Sequence, residues 1–425
     1  MRRFLIASVA AAGCTAQAAP TVGPSAWVLT HATVVDVVEG RLLPNRSIRI
    51  EDGRIVSVDS GAVAAADAFD LEGRFVIPGL IDTHVHVATD PAGEDRDARA
   101  RLEWAFRSGV TSVRDMAGDA RTLLELAAWA ADSTVAAPRI TYAALVAGPT
   151  FFDDPRPQAS ARGGVAGEVP WMQSVTMESD LPAVMRRARS TGATGLKLYA
   201  DLLGGELAPL VAAAHEAGLA VWSHSVTYPG RPLEVVRSGA DVVSHAYYLV
   251  WEVEEVVPLG YAAGRAALAA ASGPVPDPGA PAVERVLAEM ASRGTIFEPT
   301  LLVGSAGGPF ARLQPFAAGV TRRARELGVR VVAGTDRMVD RETRRANLPA
   351  ELALLVAQAG FTPAEALRAA TADAAAALGQ GNELGRVEPG RVADLVILDG
   401  DPLRDIAQVR SVRWVLKAGH RFEVR

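Results

Sequence analysis

Apolar and polar positions alternate with two different periods along this chain. Residues Trp27 to Phe75 carry short β-rich runs: Trp27–Thr30, Ala32–Val37 and Ser47–Ile50. The Asp52-Gly53 step, leading into Ile55–Val58, has the chemistry of a tight hairpin. The C-terminal end has the same character, with strands expected over Arg391–Leu398 and Val412–Leu416 and a turn over Lys417–His420. Between them, from about Pro78 to Gln380, apolar strands alternate with helical stretches. Strands are expected at Gly109–Asp115, Gly195–Tyr199, Leu219–His224, Asp241–His245, Thr295–Thr300 and Arg330–Asp336. Helices are expected at Ala208–Ala217 and Leu233–Ser238. Repeated βα units of this length build a parallel sheet, and about eight of them close into a barrel. The pattern predicts an α/β protein: a (β/α)8 TIM barrel over 78–383 and a small β-sandwich domain assembled from 26–77 and 384–425. The stretches 151–170 and 273–281 read as loops bordering the site.

Length and composition narrow the picture. A chain of 425 residues with 49% apolar residues has a soluble, globular composition. Its net charge of −6 and the lack of any Lys/Arg run argue against nucleic acid as a partner. Residues 1–19 stand apart: Arg2 and Arg3, an apolar run from Phe4 to Ala12, then small residues. This reads as a secretory signal peptide, too short for a stable span. Ala16-Gln17-Ala18 suits ordinary cleavage, whereas Ala11-Ala12-Gly13-Cys14 resembles a bacterial lipobox that would lipidate Cys14. The expectation is an exported protein, periplasmic or lipid-anchored, touching membrane only through such an anchor. Cys14 is the sole cysteine, so a mature chain has no internal disulfide and no cysteine for catalysis or metal.

The chemistry concentrates at strand ends. In Val76–His86 an apolar strand runs into His84-Val85-His86, and alternation places both imidazoles on one face, where they can grip a metal ion. Lys197, His224, His245 and Asp336 stand at the ends of later strands. In a barrel those ends converge on the catalytic face. Singly, each has a plain alternative: a solvated histidine, a snorkelling lysine, a helix-capping aspartate. Their joint occurrence in this order makes coincidence improbable.

The chain resembles the amidohydrolase superfamily, and most nearly its imidazolonepropionase-like and prolidase-like dipeptidase branch. The likeness lies in Pro78–His86, Gly109–Asp115, Lys197–Tyr199, Ser223-His224, Ser244-His245, Gly334–Asp336, Thr362–Leu367 with Ala369–Thr371, and Gly390–Leu395. It implies two divalent metal ions, most often zinc. His84, His86 and Asp336 would hold the buried ion and His224 and His245 the exposed one. Lys197 would bridge them as a CO2-derived carbamate, which turns an ill-placed cation into an anion. A metal-bridging hydroxide would then attack the carbonyl carbon of an amide, and Asp336 would pass the proton to the nitrogen that leaves. The implied substrate is a small molecule, a dipeptide or N-acyl amino acid. Lactones, esters and cyclic amides are alternatives on the same centre.

Other residues are secondary candidates. Tyr199 shares the strand face of Lys197 and either donates to the oxyanion or packs the barrel. Asp82 either orients the histidines or is a structural carboxylate. Arg114, Tyr248 and Arg337 are expected substrate contacts, with Asp115, Arg156 and Tyr247 behind them. His215 reads as a helix-end residue, and His31 and His420 as bystanders of the β domain. Many relatives carry a Gly-Gly-His-Gly loop where this chain has Ala147–Arg156 without histidine. A mononuclear deaminase would have a Glu shortly after His224, and Ser225–Gly230 contains none. A non-catalytic exported binding protein would be expected to have lost ligands, yet all six are present. A homo-oligomer is compatible with these features.

Overall fold

The computed structural model describes residues 26–63, 67–89, 97–305 and 307–424; the stretch 1–19, expected to be a signal peptide, and Cys14 within it lie outside the described residues. The terminal domain is one continuous eight-stranded sheet. Its N-terminal strands are β1 (Ala26–Asp36), β2 (Arg41–Glu51), β3 (Arg54–Ser60), β4 (Ala68–Asp70) and β5 (Phe75–Pro78). Its C-terminal strands are β17 (Leu395–Leu398), β18 (Val412–Lys417) and β19 (His420–Glu423), in the order β19-β18-β17-β5-β1-β2-β3 with β4 beside β1. The two ends of the chain meet where β5 pairs with β17, Ile77 opposite Val396. Alternation puts Leu29, Ile48, Ile50, Ile55, Val76 and Ile397 into a core separate from that of the barrel.

The barrel begins one residue after β5. Its parallel strands are β6 (Leu80–Val85), β7 (Val110–Asp115), β8 (Arg139–Ala147), β11 (Gly195–Leu198), β12 (Ala220–His224), β13 (Val242–Ser244) and β14 (Ile296–Glu298), hydrogen-bonded in that order. A small hairpin, β9 (Glu168–Val169) and β10 (Met172–Ser174), lies against β8. These strands are buried on both faces, which is why they read as nearly unbroken apolar runs.

The eighth position is held by an irregular segment, Arg330 to Asp336. On one side the Phe297 amide donates to the Arg330 carbonyl at 2.8 Å and the Val332 amide to the Phe297 carbonyl at 2.9 Å. On the other, Thr83 donates to the Ala333 carbonyl at 3.2 Å and Asp336 to the His84 carbonyl at 2.8 Å. Seven regular strands and this segment nearly close the barrel. The irregularity matters, because Asp336 sits at φ 56°, off any strand geometry, and this turns its carboxylate toward the first strand. A short hairpin, β15 (Val339–Asp340) and β16 (Arg345–Ala346), follows it.

Candidate active site

His84, His86 and Asp336 converge. A ring nitrogen of each histidine and one carboxylate oxygen all lie within 4.8 Å of one another. His86 Nε2 is 3.0 Å and His84 Nε2 3.6 Å from Asp336 Oδ1. Residue 334 must be glycine for this approach: an added Cβ would come within 2.7 Å of the His84 Cβ and 2.9 Å of Glu298 Oε1. Lys197, His224 and His245 stand at the ends of the neighbouring strands β11, β12 and β13. The His245 ring centroid is 4.8 Å from that of His84 and 4.8 Å from that of His224.

The histidines are held from behind. His84 Nδ1 donates to Glu298 Oε2 at 2.6 Å, which leaves Nε2 as its free lone pair. His245 Nδ1 lies 2.8 Å from Thr300 Oγ1 and 3.0 Å from the Tyr247 hydroxyl. Glu298 and Thr300 both come from the end of β14, where Thr300 adopts φ 50°, whereas Tyr247 follows β13. Burial holds His224 and His245 well below the usual imidazole range, and neighbouring Lys197 and His84 add to the effect. Neutral imidazoles are the form that binds metal.

Glu298 was not anticipated from sequence. It is fully buried and accepts from Arg114 Nη2 at 2.7 Å, Ser244 Oγ at 2.7 Å and Thr83 Oγ1 at 2.5 Å, besides His84. Burial alone would raise its pKa, but Arg114 and His84 overcome this and hold it well below the carboxylate range. The signal available was its position at the end of an apolar strand, shared with His224 and His245.

Arg114 must be reassigned accordingly. It does not face a substrate. Its guanidinium is wholly buried under the barrel face, ion-paired to Glu298 at 2.7 Å and stacked 4.5 Å over Trp222. Asp82 likewise touches no imidazole. It accepts from Thr335 Oγ1 at 2.7 Å, the Thr335 amide at 3.0 Å and the His84 amide at 3.2 Å. It thereby ties the β6 end to the Asp336 segment, and burial pushes its pKa up to about 7. Asp115 accepts from the Val87 amide at 2.5 Å below His86. His215 pairs with Asp241 and His31 with Asp70, both at exposed positions, and His420 opens β19; none of the three is at the site.

A cavity of about 420 Å³ opens above the cluster. His86, His224, His245 and Asp336 form its floor. Tyr199, Tyr247, Tyr248, Tyr261 and Phe310 line its walls with Arg156, Arg265 and Arg337. Tyr199 packs against His224 with ring centroids 4.2 Å apart and planes tilted by 53°, and burial keeps its phenol well above the ordinary pKa, hence protonated. Tyr248 and Arg337, expected as substrate contacts, line this space. The 273–281 loop does not line it, whereas Arg156 of the 151–170 stretch does. Tyr261, Arg265 and Phe310 had no sequence motif to mark them.

The donors fit a metal centre. Lys197 Nζ, His86 Nδ1 and His224 Nδ1 are buried with no hydrogen-bond partner among the described residues. Burial lowers the Lys197 amine to about 7. An unpartnered buried amine is costly, and such groups are otherwise satisfied. Imidazole nitrogens with one carboxylate are the ligand set zinc favours.

Comparison with known proteins gives the family and the fold. The amidohydrolase family model matches residues 75–191 and 285–420. The chain is 30% identical over 403 residues to the imidazolonepropionase of Symbiobacterium thermophilum, covering 85% of each chain. It superposes on the crystal structure of a Xaa-Pro dipeptidase with methionine bound in the active site. There the TM-score is 0.74 at 22% identity, over 94% of this chain and 100% of that one. Molinate hydrolase gives a TM-score of 0.74 at 20% identity, over 94% of this chain and 95% of that one.

Proposed function

The chain belongs to the amidohydrolase family of metal-dependent hydrolases acting on carbon–nitrogen bonds, and on that premise we propose that it is a binuclear hydrolase of dipeptides or N-acyl amino acids. The observation that carries the reading is the convergence of His84, His86, His224, His245 and Asp336 beneath one cavity, with Lys197 buried on the adjoining strand β11 and close enough to act on His224. His84, His86 and Asp336 would hold one divalent ion, zinc by ligand type, and His224 and His245 the other, with Lys197 between them as a carbamate. Bound there, the ions supply Lewis acidity toward a carbonyl oxygen and an activated water.

The protein's own groups do the rest. Asp336, ionised and open to the cavity, takes the proton released on attack and passes it to the leaving nitrogen. The Tyr199 phenol, kept protonated, donates to the carbonyl oxygen as it gains charge. The aromatic walls exclude water around the bond that breaks.

The test joins elemental analysis of the purified protein to a screen of dipeptides, N-acyl amino acids and lactones. Two metal ions per chain and turnover of amides are expected. His84→Ala and Asp336→Asn should each lose metal and reduce kcat/KM by more than about 10²-fold. Full metal content and full turnover in either variant would sink the assignment.

A further inference from the structure

Three arginines face the cavity, and their surroundings differ. The Arg156 guanidinium is already matched by Asp154, with Nε 2.9 Å from Oδ1 and 3.2 Å from Oδ2. Arg337 is exposed at the rim. Arg265 is half-buried in the wall, and its only side-chain bond among the described residues is from Nη1 to the Tyr261 hydroxyl at 3.2 Å. No carboxylate among the described residues lies within ion-pair distance of it. Its guanidinium lies 5.7 Å from the Tyr261 ring centroid and 5.8 Å from that of Phe310.

That position is built firmly. Arg265 sits one turn after Tyr261 on the helix Tyr261–Ala270, so the two share a face. The start of the helix is tied down where the Tyr261 amide donates to Asp201 Oδ1 at 2.7 Å. Asp201 in turn accepts from Thr150 Oγ1 at 2.7 Å. Gly264 lets the helix lie directly on the Tyr228 ring, because an added Cβ would overlap it. Trp251 Nε1 fixes that ring by donating to the Tyr228 hydroxyl at 2.8 Å.

A guanidinium is permanently charged and offers a planar fork of donors that matches a carboxylate. Held partly out of water over two rings, with the nearby Asp154 already paired to Arg156 and no carboxylate among the described residues in ion-pair reach, it favours an anion brought in by a ligand. We propose that Arg265 is the residue that selects substrates, by binding their free carboxylate against the Tyr261 and Phe310 rings. The substrate class is then amides of amino acids with a free C-terminal carboxylate and an apolar or aromatic side chain. Carboxamides and esters of the same molecules lack the group Arg265 reads. This inference rests on the hydrolase reading for the reaction, but not for the binding.

The test uses the metal-loaded enzyme and a probe it does not cleave. N-methanesulfonyl-phenylalanine carries a sulfonamide in place of the amide. Its affinity and that of its carboxamide are measured by titration calorimetry. The wild type is expected to bind the acid about tenfold or more tightly than the carboxamide. Arg265→Met should remove that preference by weakening the acid alone, with metal content unchanged. Should the Met variant fail to fold, Arg265→Gln carries the same comparison. Equal binding of acid and carboxamide by the wild type, or an undiminished preference in a folded variant, overturns the proposal. Turnover is read separately with N-acetyl-phenylalanine and its C-terminal amide. Acid-selective binding without turnover of either would defeat the hydrolase reading and leave the carboxylate site standing. Equal kcat/KM on both would do the reverse.

Discussion

Glu298 joins a buried charge and a neutral imidazole that must hold one tautomer. Arg114 is fully buried and needs an anion; His84 needs one tautomer and one orientation. One carboxylate serves both. Glu298→Gln keeps the volume but offers a single acceptor oxygen, and its amide nitrogen must face either Arg114 or His84. Metal affinity and kcat/KM are expected to fall by about 10–100-fold. Stability should drop by about 3–5 kcal/mol, because Arg114 loses its counter-charge. Metal titration and denaturant unfolding on the same preparation check both parts; unchanged metal affinity would reduce Glu298 to a purely structural role. The same pair shows how residue-level legibility works. His84-Val85-His86 could be read because two metal-binding side chains two residues apart in a strand are unusual. Glu298 is one of 49 acidic residues and carries no pattern of its own. Arg114 lay in a recognisable motif, but nothing local tells whether an arginine on a barrel strand points to the mouth or to a buried carboxylate on another strand.

Strand and helix placement was more legible than the turns. The apolar runs located β6, β7 and β11 to β14, because strands buried on both faces leave an unmistakable composition, whereas β8 and the β9–β10 hairpin were not read. The segment Arg330–Asp336 read as an equal strand, yet it is held by irregular backbone bonds to Phe297, Thr83, His84 and Ala369 and by the Asp82 carboxylate. Its departure from regularity depends on distant partners such as Asp82, which no local pattern reports. The helix bearing Tyr261 and Arg265 is a run of Ala and Gly around those two side chains, so its role in the cavity was silent in the sequence. The turn after β14 is the element on which the histidine supports depend, and Glu351 pins it. This buried carboxylate accepts from the Leu301 amide at 2.9 Å and the Leu302 amide at 2.7 Å. Burial raises its pKa from 4.5 to about 8. A raised folded-state value means that its contribution is complete below about pH 4.5 and is lost as the pH climbs toward 8. Unfolding free energy should therefore decline across that window, by up to about 1.4 kcal/mol per pH unit from this group. Glu351→Gln has no proton to lose, so its stability curve should be flatter than the wild type between pH 5 and 8. Parallel curves would show that Glu351 stays ionised in the fold.

At the scale of the whole molecule, the terminal sheet grips the barrel at the end opposite the chemistry. The Gly79 amide, at the start of the His84 strand, donates to the Asp394 carbonyl at 2.8 Å. The Asp394 carboxylate accepts from Arg139 Nε of β8 at 2.8 Å and from the Ala418 amide at 2.6 Å. Lys417, at the end of β18, inserts its amine among three barrel carbonyls, those of Ala130 at 2.5 Å, Asp132 at 3.0 Å and Val135 at 3.1 Å. All three belong to the end of the helix Ala120–Ala131 and the turn that leads into β8, on the face where barrel residues serve stability rather than catalysis. Lys417→Met fills the same channel with an apolar chain but withdraws every donor. Each carbonyl left without a partner costs about 1–3 kcal/mol, reduced where water can reach it. A net loss of about 2–4 kcal/mol is expected, seen as a lower midpoint in denaturant. The histidines and Asp336 lie a strand length away and keep their supports from Glu298, Thr300 and Asp82, none of which touches Lys417. The kcat/KM of the folded variant should therefore stay within about twofold of the wild type. A large fall in kcat/KM at full metal content would mean that strain at the sheet contact travels along β6 to His84. The two ends of the barrel would then not be separable into one that holds the fold and one that works.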